Sequence, residues 1–216
     1  MSLLVHICCG PCSGAVLERL LEEGRSPVGF FYNPNIQPLA EYLRRREGAA
    51  QTAEKLGVPI IFADALPEDE QRVLTGQDAD RPGLPTRPSL PPAADPLPWL
   101  RLVAGKERER CAPCIDMRLR VSALFARRHG FAAFTSSLLY SRRQPHETIA
   151  ELGRSAAAEH GLTFHYADWR PLWQRGIDLS KQWGVYRQPY CGCMFSEYER
   201  YAGDLDRIVR AAEKTE

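Results

Sequence analysis

Seven cysteines stand in this 216-residue chain, and they fall in three groups: Cys8, Cys9 and Cys12, then Cys111 and Cys114, then Cys191 and Cys193. Thiolates ligate zinc and iron, and they are the nucleophiles of disulfide exchange. Packing cysteines would scatter, so this clustering points to chemistry. Cys9-Gly10-Pro11-Cys12 matches the C-x-x-C of a thioredoxin site and sits between a strand and a helix. That chemistry uses two cysteines and a nearby cis-proline loop, for which Pro85–Thr86 is the candidate. It explains neither Cys8 nor the later pairs.

Metal binding accounts for more of the pattern. Cys111-x-x-Cys114 and Cys191-x-Cys193 are each spaced to chelate one centre. The set exceeds the four ligands of a structural zinc. An iron–sulfur cluster usually takes four thiolates, which leaves three for a second, open metal position. Spacing alone leaves three readings standing: an iron–sulfur centre, a closed zinc site with spare thiols, and thiol exchange.

The elements that must position these thiols alternate. Leu3–Ile7 is an apolar run expected to be a buried strand ending at the first cysteines. Ser13–Glu23 carries Val16, Leu17, Leu20 and Leu21 at helical spacing. Strands are expected at Val28–Tyr32, Pro59–Ala63, Ala132–Leu139 and Leu162–Ala167. Helices are expected at Leu39–Leu56, Ile115–His129, Pro145–His160 and Ser196–Ala212. This order predicts an α/β fold, a mostly parallel sheet flanked by helices, with sites at the carboxyl ends of its strands. Seven of the seventeen prolines lie between Pro82 and Pro98, so a proline-rich loop is expected at about 76–105. Residues 1–216 are otherwise read as one domain.

Composition narrows the class. The chain is 44% hydrophobic and 25% charged, enough for a real core, and its net charge of +1 selects no strongly charged partner. No apolar run approaches the span of about 20 residues that crosses a membrane, so no membrane association is expected. "MSLLVHICCG" reads as a strand rather than a signal peptide, which predicts a cytoplasmic protein. There, an odd cysteine count argues against a disulfide framework.

Five stretches, in order, carry a resemblance: "HICCGPCS", "FYNPNIQPLAEYLRR", "RCAPCIDMRL", "FTSSLLYSRRQPHE" and "VYRQPYCGCMFSEYE". Together they resemble the QueH-type epoxyqueuosine reductases, and all seven cysteines fall on motif positions. The resemblance implies reduction of the epoxide of epoxyqueuosine to the alkene of queuosine, at the wobble position of tRNAs with GUN anticodons. It implies a [4Fe-4S] cluster, an additional iron beside it and no cobalamin. It also implies a Rossmann-like fold similar to the nucleotide α-hydrolase group, with the cysteines where relatives have a phosphate loop. Departures are Gln37, where the family pattern has histidine, and the proline-rich insertion. Cys12 takes a position that the family fills with either Cys or Asp.

Deoxygenating an epoxide takes two electrons and two protons, and no side chain stores the electrons, so a metal cofactor must carry them. No G-x-G-x-x-G follows a strand, so the donor is expected to be external, of ferredoxin or flavodoxin type. Asp116, two residues past Cys114, is a candidate metal ligand or proton relay; the alternative is a solvent-facing carboxylate near a helix start. His146 and Tyr140 are candidate proton or hydrogen-bond donors, and Tyr190 shares that reading. His6, inside the first strand, reads as a satisfied buried histidine. For the tRNA, Arg142 and Arg143, with Arg44, Arg45 and Arg46, are candidate phosphate contacts. Arg118 and Arg187 lie beside cysteine motifs and are expected to bind near the centre. Tyr32, Trp169 and Tyr186 are candidate base-stacking groups, and Asn33 and Asn35 candidate readers of the base edge. The non-enzyme rival is a zinc-stabilised tRNA-binding protein; the other rival is a thioredoxin-like oxidoreductase.

Overall fold

A computed structural model describes residues 2–76 and 91–213. Strand β1 (Ser2–His6) lies at the centre of a five-stranded sheet with β2 (Ser26–Phe31), β3 (Ile60–Phe62), β4 (Ala133–Ser136) and β5 (Thr163–Phe164). The order is β3-β2-β1-β4-β5 and every pairing is parallel. Leu3, Leu4 and Val5 are all buried, the uninterrupted apolar run expected of a strand covered on both faces. Helices α1 (Gly10–Glu22), α2 (Leu39–Leu56) and α6 (His146–Glu159) carry the crossovers within each half of the sheet. Between β3 and β4 the chain passes through α3 (Glu68–Thr75), α4 (Leu97–Val103) and α5 (Cys111–Arg128); α7 (Trp173–Gln182) and α8 (Met194–Ala212) follow β5.

Strand order reverses between β1 and β4, where His6 pairs with Ser136. A crevice opens at such a switch point, outside the carboxyl ends of the strands. The first cysteine group leaves β1 there.

Several boundaries moved, for local reasons. α1 starts at Gly10, inside the cysteine motif, rather than at Ser13. Pro11 stands in its first turn, where no N–H is needed, and the Cys9 sulfur caps it by accepting the Cys12 N–H at 3.4 Å. α5 likewise starts at Cys111 rather than Ile115. β4 stops at Ser136 and gives way to a 3-10 turn over Ser137–Tyr140, because the Ser136 hydroxyl accepts the Leu138 N–H at 3.2 Å.

The expected irregular loop is partly ordered. Pro92–Ala94 forms a 3-10 turn and Leu97–Val103 forms α4. Pro98 falls in the first turn of α4, where proline fits, and Trp99 and Val103 bury one face. The proposed cis-proline pair Pro85–Thr86 lies outside the described residues. The short helices α3 and α7 were not expected.

Candidate metal centre

Cys8, Cys9 and Cys12 converge where β1 gives way to α1, and their sulfurs all lie within 4.8 Å of one another. Gly10 makes this possible. A Cβ there would meet the Thr52 hydroxyl at 2.7 Å and the Gly48 carbonyl closer still, so only glycine lets α1 start against α2. The Cys8 and Cys9 sulfurs are 3.8 Å apart. Ser137, from the β4 side of the switch point, accepts from the Cys8 N–H at 3.2 Å and donates to the Cys8 sulfur at 3.5 Å. Hydrogen bonds from Cys12 and Cys9 hold the Cys8 thiol well below its ordinary value. Sharing a hydrogen bond with Cys8 pushes Cys12 up, and burial pushes Cys9 up. Alone, the trio therefore favours one thiolate; a cation among the sulfurs would draw off the remaining protons.

The other four cysteines come from the start of α5 and the loop before α8. Cys114 and Cys193 pack with Trp99 and Val103, while Cys111 and Cys191 are exposed. Cys114 and Cys193 lie within electrostatic reach of both Cys111 and Cys191. Gln144, in the loop after β4, donates to the Cys191 sulfur at 3.1 Å.

Arg118 ties the two groups together. Its side chain is buried, and Nε donates to the Cys114 carbonyl at 3.1 Å. Burial works against its charge, and Cys114, Cys191, Cys8 and Cys111 are the groups that favour it. No carboxylate pairs with it among the described residues. A buried cation needs compensating negative charge; burial pushes Cys111 and Cys191 up, so those sulfurs would supply that charge once a bound cation draws off their protons.

Arg45 has a different position from the one expected. It is buried, not a free phosphate contact. Nε donates to Glu41 Oε1 at 2.6 Å, and its two terminal nitrogens donate to the carbonyls of Cys191 at 2.5 Å and Tyr190 at 3.2 Å. Tyr186 donates to the other Glu41 oxygen at 2.7 Å, so that phenol is committed to the same network. Gly192 has φ +131° and faces Arg45, whose Nη1 would stand 2.9 Å from any Cβ. The glycine of Cys-Gly-Cys is thus the room that Arg45 needs. Arg46 pairs with Asp64 at 2.9 Å and stacks over Phe62, so it too is engaged.

The remaining candidates divide. Tyr140 is buried, stacks on Trp173 and donates to the Trp173 carbonyl at 2.8 Å. Burial and then the thiols of Cys12 and Cys9 push its phenol up. Tyr140 thus borders the first thiol group, and the exposed Arg142 and Arg187 are electrostatic neighbours of its phenol. Tyr32 is buried with Arg118 and Cys114 as electrostatic neighbours. Asn33 is buried and spends its amide on the Ile7 carbonyl at 2.9 Å; Asn35 is also buried. Asn33 thus braces the β1–β2 end, and the Oδ1 atoms of both asparagines are buried with no hydrogen-bond partner among the described residues. Trp169 is buried as well.

His146 opens α6. Its Nε2 lies 3.1 Å from the Tyr166 hydroxyl, and its buried Nδ1 has no partner among the described residues. Asp116 is two residues from Cys114, about 200° around the helix, and so on the opposite face of α5. It accepts from Arg120 Nε at 2.8 Å. His6 is satisfied, as expected. Nε2 must donate to the Tyr32 carbonyl at 3.2 Å, so Nδ1 accepts from Ser136 at 2.9 Å. Burial, then Arg118, lowers its pKa to about 4.

Ser137, Gln144 and the Glu41–Arg45 pair were missed. The last had a signal: oppositely charged residues four apart on a helix. Ser137 and Gln144 lie in the quoted stretch "FTSSLLYSRRQPHE", but their side chains had no signal of their own, since only folding brings them to the cysteines.

Comparison with known proteins agrees with this picture. The family described as "Epoxyqueuosine reductase QueH" matches residues 3–81 and 91–199. The protein named "Epoxyqueuosine reductase QueH" from Haemophilus influenzae is 37% identical over 202 residues, 90% of this chain and 71% of its own. Its namesake from Acinetobacter baylyi is 37% identical over 90% of this chain and 79% of its own, and that from Dehalococcoides mccartyi 32% over 92% and 94%. Among solved structures, the zinc-inhibited form of teicoplanin deacetylase Orf2 aligns with 76% of this chain and 66% of its own, with a TM-score of 0.39 at 14% identity, too distant to carry an inference. The match spans both cysteine-bearing ends of the chain and the switch point between them: this chain belongs to the epoxyqueuosine reductase QueH family.

Proposed function

We propose that this chain reduces epoxyqueuosine to queuosine at the wobble position of tRNA, at an iron–sulfur centre held by its cysteines and without cobalamin. Family membership supports the reaction. The observation that carries the site is the convergence of Cys8, Cys9 and Cys12 at the switch point, with Arg118 in electrostatic reach of Cys8 on one side and of Cys111, Cys114 and Cys191 on the other. Such a thiol-rich donor set with its own buried cation fits a [4Fe-4S] cluster and an adjacent iron. When bound, the cluster and iron supply the two electrons and a Lewis-acid position.

The protein's own groups do the rest. Opening the epoxide to the alkene consumes two electrons and two protons and releases one water. The orphaned Nδ1 of His146 is a place to hold one of those protons. Tyr140, fixed on Trp173, walls the thiol group and restricts water. Arg142 and Arg187 stand exposed at the rim and suit the phosphates flanking an unstacked base. The tRNA is one with a GUN anticodon, and the electrons come from a ferredoxin or flavodoxin type of donor. With tRNA as substrate, the enzyme is read as cytoplasmic. Among the described residues no helix is long and apolar enough to cross a membrane.

The test is to purify the protein without oxygen and measure iron, zinc and acid-labile sulfide. About four irons or more with about four sulfides is expected, followed by turnover on epoxyqueuosine tRNA. Zinc near one per chain and no sulfide, even after reconstitution, would sink the reductase reading and favour a zinc-stabilised tRNA-binding protein.

A further inference from the structure

Among the described residues, nothing covers the apolar face of the last helix. None of the residues of α8 is buried, and its large apolar side chains face solvent: Met194, Tyr198, Tyr201, Leu205, Ile208 and Val209 are 41–69% exposed. The first five follow a 4-3-4-3 spacing. That is the a/d repeat of a coiled-coil seam rather than the scatter of surface residues. The helix is held to the body mainly near its start. Arg110 donates to Glu199 at 2.7 Å and lies over the Phe195 ring, which also packs on Trp99, and the half-exposed Tyr201 ring meets the Tyr190 ring edge-on at 6.4 Å. Beyond that the helix runs through Gly203, a poor helix residue with open space around it. A helix of this length is marginal in water unless an apolar face is packed.

From this exposed heptad seam we infer that α8 pairs with α8 of a second copy of this chain, making a two-fold dimer. The area suffices. Roughly 700 Å² of these side chains lies in water, so a symmetric pair would bury on the order of 1,400 Å², within the range of specific interfaces. Charge argues against the tRNA as occupant. Glu197, Glu199, Asp204 and Asp206 outnumber Arg200, Arg207 and Arg210 along the helix. Because α8 begins directly after Cys193, the dimer would also brace the second thiol group.

The experiment is sedimentation velocity of the anaerobically purified holoprotein over a wide concentration range, with reductant present to exclude disulfide links through the exposed Cys111 and Cys191. The expected result is twice the chain mass, reverting to one chain in the double variant Leu205→Glu, Ile208→Glu. Circular dichroism and iron content checked in parallel distinguish dissociation from misfolding, and the single variant Tyr198→Glu gives an independent reading should the double variant fail to fold. A monomer at every concentration, as when another segment of the same chain covers α8, overturns the inference. A dimer that all folded variants retain overturns it equally. Neither outcome bears on the reductase reading, which rests on the metal and turnover measurements.

Discussion

The Arg118 guanidinium donates to the carbonyl of Cys114 at 3.1 Å while buried between two groups of thiols. A cation in that position is a fixed counter-charge. It favours thiolates over thiols, and it would offset the negative charge of the proposed metal–thiolate centre. The variant Arg118→Met keeps much of the side-chain volume and removes the charge. Metal retention against a chelator should fall about 10–100-fold, and the reduction potential should move to more negative values. Arg118→Lys should recover part of both. An unchanged potential in Arg118→Met would reduce the residue to a packing role.

The Glu41–Arg45 pair has a different fault line. Both side chains are almost wholly buried, and Arg45 holds the carbonyls of Tyr190 and Cys191. Arg45→Met removes the cation from the buried Glu41 and leaves that carboxylate the Tyr186 hydroxyl as its remaining partner among the described residues, so unfolding free energy should drop by about 3–5 kcal/mol. The Cys191–Cys193 loop should also loosen, and alkylation of Cys193 in the metal-free protein should accelerate. Denaturant titration and mass-resolved labelling read the two effects separately.

His6 links fold stability to pH. Its folded pKa of about 4 lies below its ordinary value of 6.5, so the folded state resists protonation and the unfolded state does not. Its contribution is therefore complete above about pH 6.5 and is lost as pH falls towards 4. His6→Leu should flatten that part of the profile, while orphaning Ser136 and the Tyr32 carbonyl at a cost of about 1–3 kcal/mol each. Equilibrium unfolding at several pH values would check this; an unaltered slope in the variant would assign the acid sensitivity to other groups.

Gly176 packs under the Tyr140 hydroxyl and 3.1 Å, measured from an added Cβ, from the Pro11 carbonyl. Gly176→Ala should push Tyr140 off Trp173 and cost about 1–3 kcal/mol, despite the gain in helix propensity. A melting temperature equal to or above that of the parent would contradict the placement of Tyr140. Since Tyr140 borders Cys12 and Cys9, iron content should fall alongside stability.

What the sequence determined by itself is the set of local patterns. Leu3, Leu4 and Val5 read as a doubly covered strand, and they are one. Leu39–Leu56 was delimited to the residue, because Pro38 precedes it and Gly57, at φ 64°, ends it. The alternation of elements implied a parallel sheet, and the clustered cysteines implied a metal-suited site at its strand ends. Motif glycines were visible too, but not their purpose: Gly10 serves the approach of α1 to α2, and Gly192 makes room for Arg45.

Only the tertiary structure decided which charges face inward. Arg44, Arg45 and Arg46 form one run in which only the four-residue spacing from Glu41 sets Arg45 apart; folding buries Arg45 under the Cys191 loop and pairs Arg46 with Asp64. Asp116 and Arg118 both stand near Cys114 along the chain, but helical geometry sends them to opposite faces of α5. Ser137 and Gln144 reach the cysteines across 129 and 47 residues of chain. Periodicity records which face of an element is apolar. It carries no information on which distant segment will supply a polar partner, because that depends on how the sheet orders its strands.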